Sequence, residues 1–110
     1  MIQLPDDFIV VLVTAKDPSE AEKISQTLLE MHLIACANIL SGVTSCFIWQ
    51  GKTESATECL IVMKTKRSLF DELTQKVKAL HSYEVPEVIA LPIVAGSEAY
   101  LAWLKDTLKT

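Results

Sequence analysis

The stretch from Leu33 to Thr65 constrains the fold of this chain more than any other. It is apolar or alternating over nearly its whole length, and its breaks are Gly42 and the Gln50-Gly51-Lys52 turn. Leu33 to Leu40 is an apolar run, bent at Ser41-Gly42. Val43, Ser45, Phe47 and Trp49 then fall on one face of an extended strand, with Thr44, Cys46 and Ile48 on the other. Glu58 to Thr65 returns, with Cys59, Ile61 and Met63 on one side and Leu60 and Val62 on the other. Period-two patterning on both sides of a turn predicts a long β-hairpin.

The flanking segments place that hairpin. Phe8 to Val13 is a continuous apolar run rich in β-branched residues, the pattern of a strand buried on both faces. Asp17-Pro18-Ser19-Glu20 opens a helix: Asp17 as cap, Pro18 at the first helical position, Glu20 as the carboxylate of a capping box. Its apolar stripe is Ala21, Ile24, Leu28 and Met31, opposite a solvated face of Glu22, Lys23, Gln26 and Glu30. Ser68 is the expected cap of a second helix that buries Leu69, Phe70, Leu73, Val77 and Leu80. His81-Ser82-Tyr83 ends it, and Pro86 forces Val85 into an extended conformation. Val88 to Val94 reads as a fourth strand, and Pro92 puts it at an edge or bulge. A third helix, Glu98 to Leu108, starts at Ser97.

The order β-α-β-β-α-β followed by α predicts an α+β, ferredoxin-like split βαβ fold with an extra C-terminal helix, one domain over residues 1–110. Tyr100, Leu101, Trp103, Leu104 and Leu108 cover a wide arc of that last helix, which implies packing on the sheet edge or on a neighbouring subunit.

Composition narrows the partners. Half of the 110 residues are apolar, more than a small domain needs for its own core. Burial against further copies of the chain is the simple explanation. The net charge of −4 argues against nucleic acid, which selects for a basic surplus. Arg67 is the one arginine, so bidentate anion recognition is poorly provided for. No segment reaches the ~18–20 continuous apolar residues of a membrane span, and residues 1–7 carry no basic stretch of a signal peptide. The three cysteines, Cys36, Cys46 and Cys59, are odd in number and form no CxxC pair. Reduced thiols serving as small core groups in a cytoplasmic protein fit best.

Several segments resemble one known family. Val11-Leu12-Val13-Thr14-Ala15, Leu33-Ile34-Ala35-Cys36-Ala37-Asn38-Ile39, Thr44-Ser45 with Trp49-Gln50-Gly51-Lys52, Glu58 to Thr65, His81-Ser82-Tyr83-Glu84-Val85-Pro86-Glu87 and Tyr100-Leu101-Ala102-Trp103-Leu104 occur in order and at matching spacing. Together they resemble the divalent-cation tolerance (CutA) family. The resemblance implies a soluble homotrimer, with long hairpins joining three sheets around a three-fold axis, and a link to tolerance of copper and other divalent cations. It implies no established enzymatic reaction.

The family's copper-binding members use a cysteine and two adjacent histidines, at positions matching Val13, Leu80 and His81. His81 alone can coordinate here. Copper affinity needs several N or S donors in a compact set, so copper or another divalent cation is expected to bind weakly, with His81 the candidate ligand. His81 and His32 also suit helix C-termini, where an imidazole meets the negative end of the dipole.

Five residues stand out as polar or aromatic groups in apolar settings: Trp49, Glu58, Lys64, Tyr83 and Glu87. If they converge, they form an inter-subunit cleft of mixed charge for a small polar ligand. The alternative is a hydrogen-bond and ion-pair network that fixes the trimer's register. Enzyme signatures are absent: no GxSxG elbow, HExxH or P-loop occurs. Cys36 lies in an apolar strand, which disfavours a reactive thiolate. Acylphosphatases, which share the fold class, bind phosphate with an arginine and a glycine-rich loop after the first strand; Thr14-Ala15-Lys16-Asp17-Pro18 has neither. The sequence therefore predicts a non-enzymatic, trimeric, metal-response protein. The alternative is a trimeric signalling or interaction module with a small-molecule or protein partner.

Overall fold

A computed structural model describes residues 8–110, so the reading of residues 1–7 lies outside it. Its elements are β1 (Phe8–Ala15), α1 (Pro18–Glu30), β2 (Cys36–Trp49), β3 (Lys52–Lys66), a short 3₁₀ turn (Arg67–Leu69), α2 (Phe70–Leu80), β4 (Val88–Pro92) and α3 (Glu98–Thr107). The four strands make one antiparallel sheet in the order β2-β3-β1-β4, the ferredoxin-like order.

The alternation in β1 and β3 sorts the sheet into two faces. Val11, Val13, Ile61 and Met63 are fully buried and pack with Ile24 and Leu28 of α1 and Leu73 and Val77 of α2. The opposite face carries Leu12, Leu40, Leu60, Val62, Ile89 and Leu91, of which Leu40, Ile89 and Leu91 are about half exposed. That face is apolar and bears no helix of the βαββαβ core.

The long hairpin is present and longer than its sequence pattern. β3 begins at Lys52 rather than Glu58, while β2 begins at Cys36 because Leu33, Ile34 and Ala35 are buried in the connection from α1. Gln50 and Gly51 have φ values of 50° and 78° between the paired Trp49 and Lys52, a two-residue turn whose twist matches the strands. The register shifts between Leu40 and Val43, where Gly42 at φ 72° gives the bulge its left-handed residue. Ala15 at the end of β1 pairs with Cys59, so the hairpin beyond Glu58 projects past the rest of the sheet.

The ends of helices and strands correct three expectations and bear out one. Asp17 does cap α1, accepting from Glu20 N at 2.8 Å. Glu20 itself is buried and turned toward the α2–β4 loop rather than completing a capping box. Ser68 lies in the 3₁₀ turn, and Leu69 occupies the N-cap position of α2 with no side-chain cap bond. β4 ends at Pro92, two residues before the expected boundary; it is an edge strand, where a residue lacking N–H is tolerated.

α1 closes differently from a dipole-stabilised end. His32 N donates to Leu29 O and Leu33 N to Leu28 O, with His32 at φ 56°, a Schellman closure with histidine where glycine is usual. Thr107 O lies 2.9 Å from His32 Nδ1, and Lys109 N donates to His32 O. His32 therefore ties α3 to α1, while Leu104 and Leu108 bury the underside of α3. Tyr100 and Trp103 stay over two-fifths exposed. Of the cysteines, Cys59 is a core group as expected. Cys36 is only half-buried and Cys46 is exposed, because both alternate onto the sheet face away from the helices or onto the projecting hairpin.

Candidate ligand cleft

Where the hairpin leaves the sheet, the α2–β4 loop crosses beside it and encloses a cleft of ≈ 760 Å³. Phe47 and Trp49 from β2, Glu58 from β3, and Tyr83, Glu84 and Glu87 from the loop line it. That volume lies in the range of small-molecule sites. Four of the five residues singled out in the sequence, Trp49, Glu58, Tyr83 and Glu87, thus meet in one place.

Lys64 does not join them. It lies six residues along β3 from Glu58, about 20 Å of extended strand, and its Nζ bonds Asn38 Oδ1 and lies 3.8 Å from Cys36 Sγ. The expected mixed charge of the cleft is therefore replaced by a single sign. Three glutamates line the cleft, and no lysine, arginine or histidine among the described residues does.

Glu58 is 7% exposed, and its Oε2 accepts from Tyr83 Oη at 2.6 Å. Burial, that hydrogen bond and the negative charges of Glu58, Glu20 and Asp17 push the Tyr83 phenol well above its ordinary range. Tyr83 is therefore a fixed donor at neutral pH.

His81 sits beneath the cleft, not in it. Its side chain is fully buried. Tyr83 N donates to Nδ1 at 3.0 Å, which leaves the ring proton on Nε2, 2.7 Å from Thr14 O. The ring also packs on Tyr83 with centroids 4.7 Å apart. Both nitrogens are thus used in positioning Tyr83 over the end of β1.

Glu20 completes the support. It accepts from Ser82 N at 2.8 Å and from Ser82 Oγ at 2.8 and 3.0 Å, and lies 3.1 Å from His81 Nδ1. Burial alone would raise its pKa. The Ser82 backbone and side-chain bonds and the Lys16 N–H outweigh that and hold the carboxyl below the usual carboxylate range. Sequence reasoning missed this role, although Glu20 stands four residues before Ile24, on the buried stripe.

The residues do not fit a copper site. Val13 is fully buried in the core and Leu80 is apolar; neither can coordinate. His81 would have to break two hydrogen bonds to offer a nitrogen. Among the described residues, no three His, Cys, Asp or Glu side chains are grouped to hold a metal ion.

Comparison with known proteins places the fold and this loop in one family. Residues 9–107 match the model of the CutA1 divalent ion tolerance protein family. The chain is 45% identical over 101 residues to the chloroplastic protein CutA of Arabidopsis thaliana, covering 92% of this chain and 56% of that protein. It is 44% identical over 97 residues to the divalent-cation tolerance protein CutA of Thermus thermophilus, covering 88% and 94%. The chain thus spans a little over half the length of the plant relative and nearly all of the bacterial one. Among solved structures, CutA1 from Oryza sativa superposes with a TM-score of 0.91 at 43% identity, covering 94% of each chain. The periplasmic divalent cation tolerance protein CutA from Archaeoglobus fulgidus gives 0.90 at 40% identity, covering 93% and 99%. Fold, loop and hairpin together define a small α+β protein of the divalent-cation tolerance class. The chain belongs to the CutA1 family.

Proposed function

We propose that this protein acts in the divalent-cation response as a non-enzymatic homotrimer, through its assembled surfaces rather than through a copper ion held at His81. The observation that carries the reading is the apolar surface left open. Ile48 on the projecting hairpin, on the strand face opposite Phe47 and Trp49, is 77% exposed. The sheet face turned away from α1 and α2 is apolar, and the 14-residue β2 is an unpaired edge among the described strands. Contiguous apolar surface and a long open edge favour a further copy of the chain. Light scattering on the purified protein should return three times the 12.2 kDa chain mass. A monomer at micromolar concentration would overturn the reading.

For copper, equilibrium dialysis of Cu(II) and Zn(II) should compare the wild type, His81→Ala and a variant with all three cysteines replaced by alanine. The expected result is weak uptake that does not depend on His81. Stoichiometric binding abolished by His81→Ala would show that the ring leaves Thr14 and Tyr83 to coordinate.

A second reading, a signalling or interaction module, is favoured by the cleft. A ≈ 760 Å³ concavity with a rigidly held tyrosine is more than a trimer's register requires. A ligand that binds the native state raises its melting temperature, so a thermal-shift screen tests it. We place the protein in the cytoplasm on its three free thiols. No described helix is long and apolar enough to cross a membrane.

A further inference from the structure

We propose that the cleft binds a small organic ammonium ion with an aliphatic body, such as a linear di- or triamine. This rests on the second reading above, that the cleft is a ligand site, and assigns its ligand class. Three observations combine. Glu58, Glu84 and Glu87 line the cleft with no lysine, arginine or histidine beside them among the described residues.

Glu58 is the second and decisive observation. It is more than nine-tenths buried, and no cation pairs with it among the described residues. Tyr83 Oη bonds one of its oxygens, and the other oxygen has no partner among the described residues. A buried carboxylate with one free oxygen on the wall of a cavity attracts a cationic hydrogen-bond donor.

The third observation selects the kind of cation. The glutamates are not grouped to coordinate one metal ion. Phe47, Trp49 and Tyr83 present ring surface to the same space, with Val85 beside them. Aromatic faces favour an ammonium over a hard, strongly hydrated metal ion, and apolar walls favour methylene groups. The ammonium head sits at Glu58, a second cationic centre reaches Glu84 or Glu87, and the chain between them lies along Phe47 and Trp49.

Isothermal titration calorimetry on the full chain tests this with three probes at fixed ionic strength: spermidine, hexyltrimethylammonium and hexanoate. Wild type, Glu58→Gln, Glu87→Gln and Trp49→Ala are compared, each checked for native circular dichroism and unchanged mass in solution. The expected result is saturable binding of the two cations at one site per chain and none of hexanoate. Glu58→Gln should weaken spermidine by about ten-fold or more, as expected for a lost charge-assisted hydrogen bond. Glu87→Gln, a change at an exposed position, keeps the test valid should Glu58→Gln fail to fold; it should weaken spermidine more than hexyltrimethylammonium. Trp49→Ala should weaken both. Binding of hexanoate in preference to the cations would overturn the ammonium assignment and leave the cleft a ligand site. Cation uptake unchanged in all three variants would overturn it as non-specific attraction to an acidic protein. Silence from every probe would overturn the assignment, and with no melting shift in the wider screen the ligand-site reading falls too.

Discussion

Glu20→Gln isolates what holds the α2–β4 loop in place. The substitution keeps the shape of the side chain and removes its charge. Ser82 N and Ser82 Oγ donate to the wild-type carboxylate at 2.8 to 3.0 Å in a site that is 8% exposed. A hydrogen bond to a charged group contributes about 1.5–3 kcal/mol and a neutral one about 0.5–1.5. Converting two such bonds to neutral ones should therefore cost about 2 kcal/mol. The amide also turns an NH₂ toward one donor it cannot accept from. The pH dependence provides the discriminating sign. Glu20 has a folded pKa below its ordinary 4.5, so its stabilisation is full above that value and is lost as pH falls through the folded pKa. Denaturant unfolding of wild type and variant, at matched protein concentration and several pH values, is the assay. The gap should be about 2 kcal/mol at pH 7 and should shrink below pH 4.5. A gap that is absent at neutral pH, or that widens in acid, would refute the account of Glu20 as a charged anchor.

Three further substitutions follow from the same geometry. Tyr83→Phe removes the one donor to buried Glu58 among the described residues and should destabilise by about 1–3 kcal/mol, read by thermal unfolding, because the carboxylate loses that partner. Gln50→Gly should stabilise by up to about 1 kcal/mol, since φ 50° strains a residue with a Cβ more than it strains glycine; loss of stability would show that the Gln50 side chain contributes more than its backbone costs. Val62→Glu puts a charge in the middle of the sheet face turned away from α1 and α2, between Leu12 and Asn38, and should convert the assembly to monomer in light scattering. Persistence of the wild-type mass would move the subunit contact away from this face.

The fold was largely legible because its strongest signals are local and periodic. Alternation from Val43 to Val62 and the stripe Ala21, Ile24 and Leu28 each report one element's buried side, and the element order then admits few topologies. Boundaries were less legible where tertiary burial competes with propensity. Ser68 has the chemistry of a cap, but the chain leaves β3 through a 3₁₀ turn that buries Leu69 and puts it at the N-cap. The cleft was legible in part. Trp49, Glu58, Tyr83 and Glu87 were each conspicuous as polar or aromatic groups among apolar neighbours, and they do meet. Lys64 was conspicuous for the same reason and lies elsewhere, because position along a strand, which separates Lys64 from Glu58, leaves no mark in a period-two pattern. Glu20 and Ser82 were invisible as a pair: they are 62 residues apart, and only the packing of α1 against the end of α2 brings them into contact.

The position of His81 gives its ring a structural role that needs no metal ion. Its two nitrogens are bonded to backbone groups on either side, Thr14 O at the end of β1 and Tyr83 N in the loop. Neither bond depends on the identity of residues 13 or 80, so valine and leucine at those positions leave the frame intact and add apolar contacts to the core. The imidazole then acts as a spacer that fixes Tyr83, and Tyr83 in turn fixes Glu58 at the cleft wall. This chain of contacts makes a specific prediction about substitution at His81. Asparagine has an acceptor and a donor but lacks the reach to span both backbone groups, so His81→Asn should loosen Tyr83 and weaken any cleft ligand while leaving Cu(II) uptake unchanged. A copper-binding role predicts the opposite order of effects, with metal uptake lost first and the cleft unaffected, and the two are separated by running dialysis and the thermal-shift screen on the same protein.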